Sequence, residues 1–436
     1  MSSTAAPTFA PLENGLGESL LAGTSSKGLT VLLDPRPESV GVFGAVGINV
    51  GSVDRVAGAD GEPIPEGLAH FLEHKLFEDE QGDVSDRFSQ LGASTNAMTG
   101  FSGTTYLFST AGSSSQEVDA CLELLLGFVQ DPWFTDELVA KEQGIIAQEI
   151  RMYDDDPDWR IFFGLLGCLY EKHPVRDNIA GSVESIARID AATLQRCYEL
   201  FYHPRNMCLA LSGRIDPERV AEIVARDQDP RPEDTRGRHV RAAVDEALLP
   251  VRTRHEEELP VSRPRFLLGV KETVLGGDPL TVARRQLETR VLLDALFGRS
   301  SRAFEAMYSE GLVDESFSAS YSGEEGFGFT LVGGDTDRPE ELEARVRGVI
   351  DDARRGGLDA AVLTRVQRRL RGALYRTLDS HENAAFGLIS EHFHGLPPFS
   401  ALQLVEGIDA EDLRRRLDEH LRDDAVAVSL VRPCPS

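Results

Sequence analysis

Apolar residues recur four positions apart at Leu68, Leu72 and Leu76, a spacing that gathers side chains on one face of a helix. A second helix is predicted over 136–154. There Ile145, Ile146 and Ile150 supply the apolar positions, while Glu142 and Glu149 fall two turns apart on one face. Short stretches rich in small and β-branched residues lie between these helices, at 88–96 and 104–110, and a further helix opens at Gln116. A similar succession returns later in the chain: 292–297, then 308–312, 318–321 and 327–332, then a helix from Pro339. The pattern predicts two α+β domains that are diverged copies of one fold.

Between Ala225 and Val251 the periodicity breaks and charge dominates, as in Asp227-Gln228-Asp229-Pro230-Arg231-Pro232. This reads as an interdomain linker at 227–252, separating domains at 1–226 and 253–436. At 436 residues, with 41% hydrophobic and 27% charged positions, the chain has enough apolar material for two such cores.

The formal net charge of −27 repels phosphate over a Debye length of about 10 Å, which argues against nucleic acid and anionic membranes as partners. No run of about 18 apolar residues offers a membrane span. The opening stretch, Met1 to Gly17, lacks the basic start and apolar run of an export signal. Cys121, Cys168, Cys197, Cys208 and Cys434 are odd in number and scattered, as expected of reduced thiols. A soluble cytoplasmic protein is the expectation.

Candidate chemistry concentrates in His70-Phe71-Leu72-Glu73-His74. On a helix, His70 and His74 share a face and can converge on one ion, with Glu73 beside them. The chain has only 10 histidines, so chance would supply such a motif a few hundredths of a time. Catalytic zinc usually takes three protein ligands and leaves a position for water, and Glu149 is the natural third. Glu142, about 10 Å further along the same helix, suits a supporting role behind a ligating histidine. Glu73 is then placed to act as general base. His381 with Glu391, His392 and His394 is a competing cluster, but its helical setting puts the histidines on different faces, near an exposed helix end.

At these residues the chain resembles the pitrilysin family of inverzincin metallopeptidases, which includes mitochondrial-processing-peptidase-like members. The resemblance runs through 67–77, then Leu91-Gly92-Ala93-Ser94-Thr95-Asn96-Ala97, then 142–149, with 75 residues from His74 to Glu149. Asp156-Pro157-Asp158-Trp159-Arg160 and the stretch from Phe201 to Met207 look most like the YmfH-type bacterial members. The resemblance implies one zinc ion per chain and an inactive second domain. Each domain would be a mainly antiparallel sheet packed with helices, the chain forming half of a clam-shell peptidase. It also implies that a peptide adds as a strand along 93–99, where Asn96 and Ala97 would hold its backbone.

The expected activity is zinc-dependent endopeptidase hydrolysis of short or unstructured polypeptides, including leader segments of precursors. A noncatalytic scaffold or binding subunit of a paired complex is the alternative, and hydrolysis of small molecules a third reading. In the family the C-terminal half usually supplies an Arg/Tyr pair that grips substrate, yet 323–334 contains neither residue. A related subunit forming a heterodimer is therefore expected as partner.

Overall fold

The computed structural model describes residues 6–13, 19–55, 62–112 and 114–434. Parts of the opening stretch read for an export signal, at 1–5 and 14–18, lie outside the described residues. The first half contains strands β1 (Ala10–Pro11), β2 (Leu21–Thr24), β3 (Thr30–Pro35) and β4 (Val42–Ile48), then helix α1 (Leu68–Lys75). A two-residue ladder of β5 (Glu78–Asp79) and β6 (Gly82–Asp83) leads to α2 (Val84–Gln90), β7 (Ala93–Thr99) and β8 (Thr104–Thr110). Five helices follow: α3 (Ser115–Gln130), α4 (Asp136–Asp155), α5 (Pro157–Leu169), α6 (Val183–Ile186) and α7 (Ala191–Phe201). Strand β9 (Met207–Gly213) and α8 (Pro217–Gln228) close this half.

The second half repeats the order. It runs β10 (Arg254–Leu259), β11 (Arg265–Lys271), α9 (Pro279–Phe297), α10 (Arg302–Ser309), β12 (Ser318–Gly323) and β13 (Gly328–Asp335). Then come α11 (Pro339–Gly356), α12 (Ala360–Leu378), α13 (His381–His394), α14 (Ser400–Glu406), α15 (Ala410–His420) and β14 (Val426–Pro433).

The two sheets have matching topology. The first is ordered β1-β2-β3-β9-β4-β8-β7 and the second β10-β14-β11-β13-β12. Within them β3 with β9 and β10 with β14 are the parallel pairs, and the other neighbours are antiparallel. The expectation of two sheet-and-helix domains built as copies of one fold is met. β4 and β9 are buried at every residue, as strands covered on both faces must be. β7 alternates in exposure and lies at the sheet edge.

The compact units depart from a single cut at 227–252. One unit comprises Met1–Ile150, Asn178–Ala242 and Tyr375–Ser400, the other Arg151–Asp177, Ala243–Leu374 and Ala401–Ser436. The topologically equivalent helices α5 and α13 are therefore exchanged. α13 buries Ala384, Ala385, Leu388 and Ile389 against β3, β4 and β9. Gly47 on β4 makes room for it, since a Cβ there would lie 2.4 Å from Ile389 Cγ2. α5 packs on β10, β11 and β14, burying Ile161, Leu165 and Leu166. Each helix buries apolar residues on the sheet that receives it, so sheet packing outweighs proximity in sequence.

The segment read as a linker carries neither helix nor strand from 229 to 253, yet it is fastened. Asn49 Nδ2 donates to the His239 carbonyl at 3.0 Å, and Asp54 binds His239 Nε2 at 2.8 Å and Arg241 at 3.2 Å.

Candidate metal centre

Helix α1 begins abruptly at Leu68 because Gly67 adopts φ 79°, a left-handed conformation that favours glycine. A Cβ on Gly67 would also meet the Ala180 carbonyl oxygen at 2.3 Å. Ser185 Oγ donates to the Glu66 carbonyl at 3.0 Å, so α6 and the turn before it fix the entry to α1. Leu68, Phe71, Leu72 and Leu76 are buried, turning His70, Glu73 and His74 toward α4 and β7. On α4, Val139, Glu142, Ile146 and Ile150 form the buried stripe, while Ile145, grouped in the sequence with the apolar positions, is 45% exposed.

The three residues expected as ligands come together. His70 Nε2 lies 3.7 Å from Glu149 Oε1, and His74 Nε2 lies 3.5 Å from Glu149 Oε2. The candidate ligand atoms of all three fall within 4.8 Å of one another. Zinc–ligand bonds of about 2.0–2.2 Å in a tetrahedron place neighbouring ligand atoms roughly 3.4 Å apart, so the spacing fits the edges of such a site. Among the described residues no second trio of histidine, cysteine or carboxylate side chains converges in this way.

Glu142, 7% exposed, accepts from His74 Nδ1 at 3.0 Å. That bond places the proton on Nδ1 and leaves the Nε2 lone pair facing Glu149. Burial, reinforced by the nearby His74, lowers the pKa of His70 to about 4 against the pull of Glu149 and Glu142. His70 is consequently a neutral donor at physiological pH. Burial acts to lower His74 as well, but its bond to Glu142 and the surrounding carboxylates leave its pKa raised. A divalent ion bound here would compete with that proton.

Glu73 sits beside the trio rather than within it. Burial raises its carboxyl pKa, and a hydrogen bond from the Thr99 hydroxyl to Oε2 opposes the rise. Behind it Tyr106 and Tyr202 are buried with their hydroxyls 2.9 Å apart, and burial holds both phenols well above their ordinary pKa. Thr99 was not singled out by sequence. The available signal was its place at the end of an alternating stretch in which Thr95, Ala97 and Thr99 share one face.

Asn96 and Ala97 lie in the middle of β7, opposite Leu107 and Tyr106. Asn96 is exposed, and its Oδ1 accepts from the Ala97 amide at 2.9 Å. The competing histidine cluster stays dispersed and half-buried rather than exposed. His381 Nδ1 lies 3.1 Å from Ser212 Oγ, His394 Nδ1 2.7 Å from the Ser390 carbonyl, and Glu391 accepts from the Phe399 amide at 2.9 Å.

A family model described as insulinase (peptidase family M16) matches residues 42–182, and one described as the peptidase M16 inactive domain matches 188–370. The uncharacterized zinc protease YmfH of Bacillus subtilis strain 168 is 38% identical over 426 residues, covering 96% of this chain and 97% of the relative. A crystal structure described as an M16-like peptidase from Alicyclobacillus acidocaldarius is similar with a TM-score of 0.92 and 36% identity, over 98% of this chain and all of that one. The crystal structure of pitrilysin shares the fold at a TM-score of 0.76 and 16% identity, matching 98% of this chain but 47% of its own.

Proposed function

Because the chain belongs to the insulinase (peptidase M16) family, we propose that it is a zinc-dependent endopeptidase acting on short or unstructured polypeptides, leader segments of precursors among them. The observation that carries this reading is the convergence of His70 Nε2, His74 Nε2 and Glu149 at tetrahedral-edge spacing, with Glu73 alongside. His70, His74 and Glu149 would hold the ion. When bound, zinc supplies Lewis acidity, polarising a scissile carbonyl and acidifying water.

The chain's own residues do the rest. Glu142 fixes the His74 tautomer by accepting the Nδ1 proton. Glu73, with one oxygen engaged by Thr99, takes the proton of the attacking water at the other and delivers it to the leaving amine nitrogen. Along the free edge of β7, backbone N–H and C=O groups pair with an extended peptide, and Asn96 and Ala97 lie at the centre of that edge.

The reading extends to a partner. Residues 323–334 contain no arginine or tyrosine, and Tyr321, just before them, is buried with its hydroxyl donated to Glu272 at 3.0 Å. The pitrilysin chain is about twice as long as this one, and a related second subunit would supply the grip. Four buried cysteines outside any disulfide, Cys121, Cys168, Cys197 and Cys208, fit a reducing, cytoplasmic setting.

The test is cleavage of an unstructured peptide mixture by the zinc-loaded chain, compared with the chelated chain and with Glu73→Gln. Equal hydrolysis by all three would remove the proposal.

A further inference from the structure

We propose that Thr99 is a positioning residue that aims the Glu73 carboxylate, tying the orientation of the base to the strand on which a peptide docks. The inference rests on the peptidase reading above and extends it to a residue outside the motif. Its starting point is one contact: the Thr99 hydroxyl donates to Glu73 Oε2. A carboxylate that acts as a base needs one oxygen directed at the proton it removes. A bond that occupies the other oxygen restricts rotation about the terminal side-chain torsion, which is otherwise broad.

Thr99 can do this because its own place is fixed. It is the last residue of β7, paired with Thr104 at the mouth of the hairpin, and as a β-branched residue it has a stiff χ1. The turn beyond it is closed by Gly100 N donating to Gly103 O at 2.8 Å. The segment around Gly51 then clasps that turn, with Ser52 N on Gly100 O at 3.1 Å and Val53 N on Phe101 O at 3.0 Å. A Cβ on Gly51 would stand 2.3 Å from Phe101 O, so the clasp needs glycine there. Asp54 locks the clasp, accepting from Gly51 N at 2.8 Å and holding Arg241, which in turn donates to Ser102 O. The hairpin tip is thus anchored on two sides, and the hydroxyl it presents to Glu73 is held by backbone rather than by a free rotamer.

The same strand carries the free sheet edge. A peptide pairing with β7 would stiffen the backbone from which Thr99 projects, so docking and aiming of the base share one element. The expected signature is a defect in turnover rather than in affinity.

The test compares Thr99→Val, Thr99→Ala and Thr99→Ser with the wild-type chain, all zinc-loaded. Val removes the donor at nearly constant shape, Ala covers the case in which Val does not fold, and Ser restores the hydroxyl. Thr99→Val and Thr99→Ala should lose about 10- to 100-fold in kcat with KM little changed. Zinc content should stay at the wild-type level, and Thr99→Ser should recover most of the rate. A second readout needs no turnover. In metal-free protein labelled with ¹³C at glutamate carboxyls, the resonance that disappears in Glu73→Gln should move in Thr99→Val and return in Thr99→Ser. Wild-type kcat in Thr99→Val, failure of Ser to rescue, or an unmoved Glu73 resonance would each overturn the assignment. If the wild-type chain cleaves no peptide, the peptidase reading falls, and the carboxyl resonance still decides whether Thr99 aims Glu73.

Discussion

Arg369 follows Asp294 by 75 residues, the interval that separates Glu149 from His74, and its guanidinium donates to the Asp294 carboxylate at 2.7 and 2.9 Å. The pair lies on α9 and α12, the topological counterparts of α1 and α4. Matching Leu296-Phe297 to Leu76-Phe77 puts Arg290 and Asp294 where the first unit has His70 and His74. Where the first copy gathers lone pairs, the second has two cations and one carboxylate. An arginine cannot surrender its proton to become a ligand, so the ion pair satisfies a position that a metal would otherwise need to fill.

Zinc stoichiometry should accordingly be one per chain. His70→Ala, His74→Ala and Glu149→Gln should each remove most of the bound metal, measured by mass spectrometry after dialysis. Glu142→Gln should lower affinity less, by about 10- to 100-fold. Equal losses at Glu142 and Glu149 would reverse the choice of ligand.

Glu73→Gln should retain zinc while losing roughly 10²- to 10⁴-fold in turnover, because the amide keeps its size but takes no proton. Near-normal peptide cleavage by the loaded variant would show that another group serves as base.

Acid should destabilise the second unit through one buried cluster. Glu272 is bonded to Arg416 deep in that core, both essentially unexposed. Burial alone would raise the Glu272 pKa, but nearby His420 and Arg416 pull it from the usual 4.5 to about 2. Burial and Arg416 in turn push His420 from 6.5 to about 3. His420 is therefore neutral at pH 7, and Arg416 is the charge that holds Glu272. The Glu272 contribution is complete above pH 4.5 and lost as pH falls through about 2; that of neutral His420 is lost as pH falls from 6.5 toward about 3. Glu272→Gln should cost about 3–5 kcal/mol at neutral pH by stranding the arginine, and should flatten stability between pH 4.5 and 2. Urea unfolding across that range is the measurement, and an unchanged slope would assign the acid sensitivity elsewhere.

The isolated zinc-loaded chain should be slow, because removal of one donor to a developing oxyanion typically costs about 10²- to 10³-fold. A related subunit lacking the histidine motif should raise the rate and co-elute with the chain in light scattering. Full activity of the chain by itself, unchanged by such a partner, would place the grip within this sequence.

Much of this is legible in the sequence. His70, Glu73 and His74 could be read because helical spacing alone puts them side by side, and Glu149 because an i, i+7 relation to Glu142 sets both on one face of α4. The repeat was visible in the order of its elements. Thr99 was not, since its partner is 26 residues away and nothing local in a Met-Thr-Gly sequence distinguishes a hydroxyl aimed at a carboxylate from one bound to water. The exchange of α5 and α13 was equally hidden. Their buried faces are apolar in the ordinary helical way, and either sheet offers an apolar surface, so periodicity reports that a helix is buried without naming its host.

The reciprocal lodging of α5 and α13 constrains how this chain can be divided in descent or in the laboratory. A gene broken at 227–252 would encode two products, each carrying a helix that belongs on the other's sheet and each missing its own. The N-terminal product would keep every candidate zinc ligand, yet leave β3, β4 and β9 bare on the side where Ile389 now fills the space over Gly47. Exposed apolar strands of that kind are an aggregation hazard. A fragment that keeps the candidate zinc ligands on a fully covered sheet therefore requires residues 375–400 to be grafted back.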